Sequence, residues 1–307
     1  MTIEAPAPTA EVAAEVAADV RTVAITMVRD EREMLPRWIR HYGEHLGVDN
    51  LIVLDDNSQD GSTSGLPCTV HRLPPPRPTD HWGLMRVRLV NGLAAGLLAF
   101  YDAVIFTDVD EFLVPDPARY RSIPHYLAAH PEQQVIAGLA FDVVHDARTE
   151  PPIDPDRPVL AQRQLVKFNP AMCKPLVKRA PVRWASAFHS VKAPFPIDPD
   201  LLMLHLKFYD EEAAREVGDR RRAVHETLGR GHSNSFWPRG GNALVKVLAR
   251  SVATGDVPVT ELEPAAIDTT GLVVLDDRGY HTVDGRQIAS LKRSPLQTLP
   301  ERFRQTL

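Results

Sequence analysis

Short apolar runs alternate with stretches of helical periodicity in the first third of the chain. The apolar runs lie at residues 23–28, 51–54 and 104–107, and their length is typical of strands buried in a sheet. Between them, apolar side chains recur at helical spacing over residues 33–46 and 82–101. Strands that alternate with helices predict a mostly parallel sheet joined by crossover helices.

The rest of the chain carries weaker signals of the same kinds. Proline-rich residues 151–158 indicate a long loop or a boundary, and turn-rich residues 231–241 predict a loop that can close over a ligand. The pattern predicts further strands at 159–168, 176–184 and 201–207, and helices at 210–228 and 242–252. We therefore expect a disordered or loosely helical tail at 1–20, a domain over 21–230 and a C-terminal extension, 231–307, packed on it.

Acidic residues follow the strand predicted at 104–107. Asp108 and Asp110 are two positions apart, and in an extended segment such residues point the same way. They can therefore converge on one cation, with Glu111 beside them. Carboxylate oxygens suit Mg2+ or Mn2+, which proteins often hold with one or two carboxylates and substrate phosphates. A solvated acidic turn is the alternative for an isolated motif of this kind.

A second polar segment follows the strand predicted at 51–54. It reads Asp-Asp-Asn-Ser-Gln-Asp-Gly-Ser over residues 55–62. Open α/β sheets bind their ligands at the carboxyl ends of strands, so Asp55 or Asp56 can accept hydrogen bonds from a nucleobase or a ribose. The alternative is a simple turn from strand to helix, because these residue types also favour turns and caps.

Five sequence motifs together resemble family-2-like glycosyltransferases, in the subgroup related to family 92. They are VAITMVRDERE at 23–33, LIVLDDNSQDGS at 51–62, VIFTDVDEFLV at 104–114, FHSV at 188–191 and LHLKFYD at 204–210. The resemblance covers about residues 22–210. It implies a GT-A fold, with a Rossmann-like, mostly parallel central sheet, helices on both faces and a C-terminal helical extension. It also implies that residues 21–115 bind the nucleotide-sugar and that 116–230 shape the acceptor half.

The resemblance also implies roles for particular residues. By matching position, Asp108 and Asp110 hold the metal and the diphosphate, and His205 completes the metal site. Four acidic residues match positions near the nucleoside: Asp30, Glu31, Asp55 and Asp56. The motif Gln-x-x-Arg-Trp of processive members is absent from the sequence, which disfavours a processive synthase.

Several further residues are candidates for binding or catalysis. Arg86 and Arg88 precede the acidic strand end, and either can reach a diphosphate, although surface solvation is an equal alternative. Lys207 lies two residues beyond His205 and can pair with the leaving diphosphate. The catalytic base is expected among four residues: Asp142, His145, Asp146 and His189, of which Asp142 and His189 are the leading candidates. Trp184 either stacks on a sugar or lies in the core, and the Arg220–Arg222 run predicts a solvated helix face.

Composition restricts the class of protein. The chain has 307 residues and a net charge of -5, so nothing in its overall charge favours nucleic acid as a partner. It has two cysteines, which fits a reducing cytoplasm. The first twenty residues lack the basic and apolar regions of a secretory signal, and the sequence has no apolar stretch long enough to span a membrane. We expect a cytoplasmic protein, and peripheral contact with the inner membrane face stays open.

These features predict a metal-dependent, non-processive and inverting glycosyltransferase. Its donor would be a UDP- or GDP-sugar, and its acceptor a glycan, a glycolipid or a protein, as in cell-surface glycan synthesis. One alternative is a sugar-phosphate nucleotidyltransferase, but the acidic residues 29–33 lack the glycine-rich loop that such enzymes place there. The other is a nucleotide-binding protein of the same fold without transferase activity.

Overall fold

The computed structural model describes residues 20–75, 77, 81–228, 237–253, 257–285 and 294–307. Nearly all of the tail predicted at 1–20, and the first part of the loop predicted at 231–241, lie outside the described residues.

The first half of the domain is a parallel β/α unit, as the sequence predicts. Its elements are β1 (Thr22–Val28), α1 (Met34–Leu46), β2 (Leu51–Asp55), β3 (Thr69–Arg72), α2 (Trp82–Leu97) and β4 (Ala103–Phe106). The strands run parallel in the order β3-β2-β1-β4. All residues of β1 and β4 are buried, which explains their continuous apolar sequences. Helix α1 covers the sheet with apolar residues at helical spacing: Met34, Leu35, Trp38, Ile39 and Tyr42.

The second half extends this sheet with strands of mixed direction. It contains β5 (Glu111–Pro115), α3 (Ile123–Ala129), β6 (Val135–Val144), α4 (Val159–Gln162), β7 (Leu165–Phe168), β8 (Val177–Lys178), β9 (Ser190–Val191) and β10 (Ile197–Phe208). Strand β10 pairs in parallel with β6 and antiparallel with β5. Strand β8 lies antiparallel between β4 and β6 and so joins the two halves. The predicted α/β class with a large central sheet is confirmed.

The predictions of strands at residues 159–168 and 176–184 are largely wrong. Residues 159–168 begin with the helical turn α4, which follows Pro158, a flanking residue with an extended ψ of 134°, and only β7 is a strand. Residues 176–184 contribute only the two-residue strand β8. Pro181 follows soon after and has no N–H to donate to a ladder.

The C-terminal region begins with two packed helices, α5 (Glu211–Leu228) and α6 (Gly241–Val252), as predicted. They approach so closely that a Cβ atom at Gly241 would lie 2.2 Å from the Arg215 carbonyl oxygen. Four short strands follow: β11 (Thr260–Glu261), β12 (Val273–Leu275), β13 (His281–Val283) and β14 (Leu296–Thr298). Strands β11 and β14 extend the central sheet at β7, and β12–β13 form a small second sheet with β9. The extension is thus helical at its start and then adds strands.

Over the described residues, we find no helix with both the length and the apolar character needed to cross a bilayer.

Candidate functional site

The chain changes strand partners at the acidic motif. Strand β4 runs beside β1, whereas β5 runs beside β10, and residues 107–110 connect them. This connection is a tight turn in which the Glu111 N–H donates to the Asp108 carbonyl at 3.1 Å. The turn lies at the carboxyl edge of the parallel strands β1, β2 and β4, where α/β sheets bind ligands. The motif therefore occupies the edge that the sequence predicts, but as a turn and not as an extended segment.

Asp108 is held by two cations. The Arg86 guanidinium donates to Asp108 Oδ1, and Lys174 Nζ lies 3.2 Å from Asp108 Oδ2. Lys174 also donates to the buried carboxylate of Glu111. Burial by itself would favour neutral Asp108, but Arg86 and Lys174 outweigh it and hold the pKa of Asp108 well below its usual range. Burial likewise disfavours charged Lys174, yet its two carboxylate partners raise the pKa of the ammonium group. Arg86, Asp108 and Lys174 thus form an ion triad, and Glu111, whose carboxyl pKa burial raises, joins it through Lys174.

Asp110 faces a histidine instead. His205 Nε2 lies 3.5 Å from Asp110 Oδ2, and His205 Nδ1 lies 2.7 Å from Asp142 Oδ1. The second oxygen of Asp142 accepts a hydrogen bond from Asn169 at 2.9 Å. Burial opposes protonation of His205, but Asp110 and Asp142 outweigh it and raise the pKa of the imidazole to about 9. Because a carboxylate only accepts, Asp142 fixes the proton on Nδ1 and turns Nε2 toward Asp110.

This arrangement fits a divalent metal. Potential ligand atoms of Asp110, Glu111 and His205 all lie within 4.8 Å of one another, and they are buried. Oxygen and imidazole ligands suit Mn2+, and a histidine whose other nitrogen is bound by a carboxylate is the usual form of a metal ligand. Asp108 is not in this group. Its carboxylate contacts Arg86 and Lys174. Because residues 107–110 form a turn, the expectation that Asp108 and Asp110 point the same way, which holds for an extended segment, does not apply.

Helix α5 lies over the same edge and contributes arginines. Arg220 lies 3.2 Å from the carboxylate of Glu31, and Arg221 lies 3.7 Å from Asp110 Oδ2. Of the Arg220–Arg222 run, only Arg222 matches the predicted solvated face, where it pairs along its own helix with Asp219 and Glu226. The prediction of a solvated run is wrong for the other two arginines.

A cleft of about 290 Å³ lies between the turn after β1, the end of β10 and helix α5. Its lining combines acidic and basic side chains: Asp30, Glu31, Asp110, Lys207, Arg220 and Arg221. Burial raises the pKa of Glu31 to about 7 against the opposing effect of the two arginines. Burial also lowers the pKa of Lys207. The cleft therefore brings together predicted metal, nucleoside and diphosphate residues from three distant parts of the chain.

The predicted nucleoside residues also shape their own loop. Asp55 is buried, and its two oxygens accept from Ser58 N at 2.7 Å and Thr63 Oγ1 at 3.1 Å. Asp30 adopts a left-handed backbone with φ of 55°, and its Oδ1 accepts from the backbone N–H groups of residues 59 and 60. Asp56 accepts from Trp82 Nε1 at 3.1 Å. Asp30 thus holds the loop after β1 against the loop after β2, whereas Asp55 shapes its own loop.

Some predicted residues lie away from the cleft or turn inward. Arg88 is exposed on α2, while Arg86, two positions earlier and on another side of the helix, reaches Asp108. Trp184 is buried, and its Nε1 donates to the Pro175 carbonyl at 2.6 Å, so of the two alternatives for this residue the structure shows the core position. His189 Nδ1 lies 2.8 Å from the Ala171 carbonyl, and burial lowers the pKa of its imidazole to about 4.

The other base candidates have separate partners. His145 lies 3.8 Å from Asp210, and Asp146 pairs with Arg148 beside it. Asp142 has both oxygens engaged by His205 and Asn169, which fits an orienting role better than that of a base.

Sequence reasoning assigned no role to several residues of the site. Lys174, Asn169, Arg220 and Arg221 contact the acidic residues only through tertiary structure. Two signals were present in the sequence: a basic run lies in the helix that follows the strand of His205, and a lysine lies in an otherwise apolar stretch. Neither signal identifies its partner.

No protein-family model and no curated protein matches this chain, but solved structures do. A glucosyl-3-phosphoglycerate synthase from Mycobacterium tuberculosis, in complex with Mn2+, UDP-glucose and phosphoglyceric acid, is 19% identical with a TM-score of 0.26. That match covers 45% of this chain and 50% of the other, so this chain spans about half the length of that synthase. Another structure of this synthase, with phosphoglyceric acid, is 15% identical over 92% of each chain, with a TM-score of 0.33.

A mannosyltransferase from Pyrobaculum calidifontis, in complex with GDP-Man and Mn2+, also matches. It is 13% identical, with a TM-score of 0.34, over 78% of this chain and 76% of that chain. These structures are glycosyltransferases that were solved with nucleotide-sugar, acceptor or both kinds of ligand. Their TM-scores are too low to carry an argument about the function of this chain, and the subgroup related to family 92 stays a prediction.

Proposed function

We propose that this protein transfers a sugar from a nucleotide-sugar donor to an acceptor hydroxyl, with a divalent metal bound by Asp110 and His205. The observation that carries the proposal is the Asp110–His205–Asp142 chain at the carboxyl edge of the sheet, in which Asp142 orients the imidazole toward Asp110. When bound there, Mn2+ or Mg2+ neutralises charge that develops on the nucleoside diphosphate leaving group.

The basic residues of the cleft support the same assignment. Lys207, Arg220 and Arg221 line it together with Asp110. Arginine favours paired hydrogen bonds to phosphate, and Arg221 is near enough to Asp110 to bind a diphosphate beside the metal. We assign these three residues to the diphosphate of the donor. Arg86 and Lys174 instead neutralise Asp108 and Glu111 and keep the turn in place.

The nucleoside side of the donor is assigned to the loops after β1 and β2. Asp56 and Glu31 lie there, Asp30 holds the two loops against each other, and Asp55 shapes the second loop. Asp108, which we predicted as a metal ligand, acts here through its ion triad and is proposed to support the turn. His189 stays a candidate base, since its lowered pKa keeps the imidazole neutral and able to accept a proton near pH 7.

The direct test measures thermal stability with UDP and with GDP, each with and without Mn2+. A ligand at about one hundred times its dissociation constant adds roughly 2.7 kcal/mol to the free energy of unfolding. We expect a metal-dependent shift for one nucleotide in the wild type and its loss in Asp110→Asn. An exposed carboxylate serves as the control, and Asp102→Asn should keep the shift. The absence of any metal-dependent shift in the wild type would refute the proposal.

The donor sugar and the acceptor are assigned by activity. A UDP- or GDP-sugar whose base matches the stability shift is the proposed donor. Glycan, glycolipid and protein acceptors are then compared by transfer of radiolabelled sugar, with release of the free nucleoside diphosphate as the second readout.

A further inference from the structure

One face of helix α1 binds both ends of the acidic turn. Trp38 Nε1 donates to Thr107 Oγ1 at 2.8 Å, directly before the acidic residues. Tyr42 OH donates to the Glu111 carbonyl and accepts from the Leu113 N–H, both at 3.1 Å, directly after them. Trp38 and Tyr42 are four positions apart and so lie on the same side of the helix. One rigid element therefore spans the turn.

The hydrogen bonds between strands do not by themselves fix the distance between the two ends of this turn. Its start follows β1, because the Thr107 N–H donates to the Ile25 carbonyl. Its end follows β10, because the Leu206 N–H donates to the Asp110 carbonyl. The two ladders belong to different strands, and a small shift between them would change the distance from Asp110 to the rest of the site. Helix α1 contacts both sides and removes this freedom.

The hydrogen bonds between α1 and the acidic turn are also shielded from water. Trp38, Tyr42 and Thr107 are fully buried. A buried polar group without a partner is costly, so these hydrogen bonds cannot be exchanged for bonds to water when the turn moves. Each of them therefore resists displacement of the turn along the helix.

We propose that Trp38 and Tyr42 are positioning residues that fix the acidic turn and thereby set the affinity for metal and nucleotide. The inference rests on the proposed function for its consequence in binding, but the bracing itself is a property of the fold.

The test compares two tyrosine variants that each lose one buried hydroxyl. Tyr42→Phe removes the bracing contact. Tyr126→Phe is the matched control, because Tyr126 is equally buried and donates at 2.6 Å to Asp198 and not to residues 107–113. Binding of Mn2+ is measured by electron paramagnetic resonance in the presence of UDP and of GDP. Hydrogen–deuterium exchange of the peptide that contains residues 107–113 is measured without ligand.

We expect Tyr42→Phe to weaken Mn2+ binding about tenfold, which corresponds to about 1.4 kcal/mol, and to accelerate exchange at residues 107–113. Tyr126→Phe should lower the melting temperature by a similar amount but leave both readouts as in the wild type. If Tyr42→Phe does not fold, Thr107→Val removes the contact at the other end of the turn with little change in shape.

Two outcomes separate the proposals. If the wild type binds Mn2+ and the exchange and affinity of Tyr42→Phe match those of Tyr126→Phe, the bracing role is wrong. If the wild type binds no Mn2+ with either nucleotide, the proposed function is wrong, and unchanged exchange in Tyr42→Phe would then also overturn the bracing role.

Discussion

His205 and Asp142 face each other in register on the neighbouring strands β10 and β6, with Nδ1 and Oδ1 2.7 Å apart. This pairing decides which imidazole nitrogen faces Asp110. Asp142 could either orient His205 or act as the catalytic base. The two roles predict different effects of one substitution on Mn2+ affinity and turnover.

Asp142→Asn should weaken Mn2+ binding by about 10- to 100-fold, the usual effect of losing a carboxylate that orients a histidine ligand. Turnover should recover at saturating Mn2+. The measurement is the Mn2+ dependence of sugar transfer, with Asp154→Asn as a surface control. Loss of turnover at every Mn2+ concentration, together with unchanged Mn2+ affinity, would assign Asp142 as the base after all.

Two adjacent arginines provide a second test. Arg221 lies in the cleft beside Asp110, whereas Arg222 pairs along its own helix. Arg221→Gln removes a charged donor from the diphosphate site, and a hydrogen bond to a charged group contributes about 1.5–3 kcal/mol. Nucleoside diphosphate affinity in the presence of Mn2+, measured by calorimetry, should fall by roughly tenfold or more. Arg222→Gln should bind as the wild type does, and equal losses in both variants would contradict the assignment.

Helix α1 also predicts the response of the protein to acid. Burial lowers the pKa of His41 to about 3, and the neutral imidazole contacts the Leu113 carbonyl at 2.9 Å. The unfolded chain takes up this proton near pH 6.5, and the folded chain does so only near pH 3. The contribution of His41 is therefore present above about pH 6.5 and is lost as pH falls toward 3, at roughly 1.4 kcal/mol for each pH unit.

This prediction is checked by urea unfolding between pH 7 and pH 4. His41→Gln should flatten the loss of stability on the acid side, although it lowers stability at pH 7. His71→Gln, on the exposed strand β3, should leave the slope unchanged. A slope in His41→Gln equal to that of the wild type would show that other groups govern acid unfolding.

Lys174 gives a prediction about stability. Its ammonium group is the shared partner of Asp108 and Glu111, and all but a few per cent of its side chain is buried. Lys174→Met would leave the buried carboxylate of Glu111 and the partly exposed carboxylate of Asp108 with one cation fewer. Breaking a buried ion pair from one side costs about 3–5 kcal/mol. We expect a large fall in the urea midpoint, compared with a small change in Lys167→Met on β7. A change of less than about 1 kcal/mol would contradict the role of Lys174.

The sequence predicts β1, β2 and β4 because these strands are buried, and it predicts α1 because this helix is strongly amphipathic, but it does not predict the exposed strand β3. The family resemblance also implies that Asp108, Asp110 and His205 share a metal site, and the structure brings Asp110 and His205 together while Asp108 contacts Arg86 and Lys174. The sequence does not predict the direction of a side chain where a contact with a distant part of the chain decides it. The turn at Asp108 depends on Lys174, 66 positions away, and the inward direction of Arg221 depends on how α5 packs on β10.

The strand predictions at residues 159–168 and 176–184 are wrong for a local reason. Each lies in an apolar stretch whose period does not distinguish a strand from a buried turn, and a proline then ends or starts the regular structure. For Asp55 the sequence does not show that its carboxylate accepts hydrogen bonds from Ser58 and Thr63 in its own loop, because a residue type suited to a ligand also suits a turn.

Lys174 has one more consequence. If only a bound metal ion neutralised a carboxylate cluster, the protein would need that ion in order to fold. Here the acidic turn carries its own counter-ions, Lys174 and Arg86, and Asp110 has His205. We therefore expect the newly made chain to fold without metal, and the proposed metal to bind reversibly after folding.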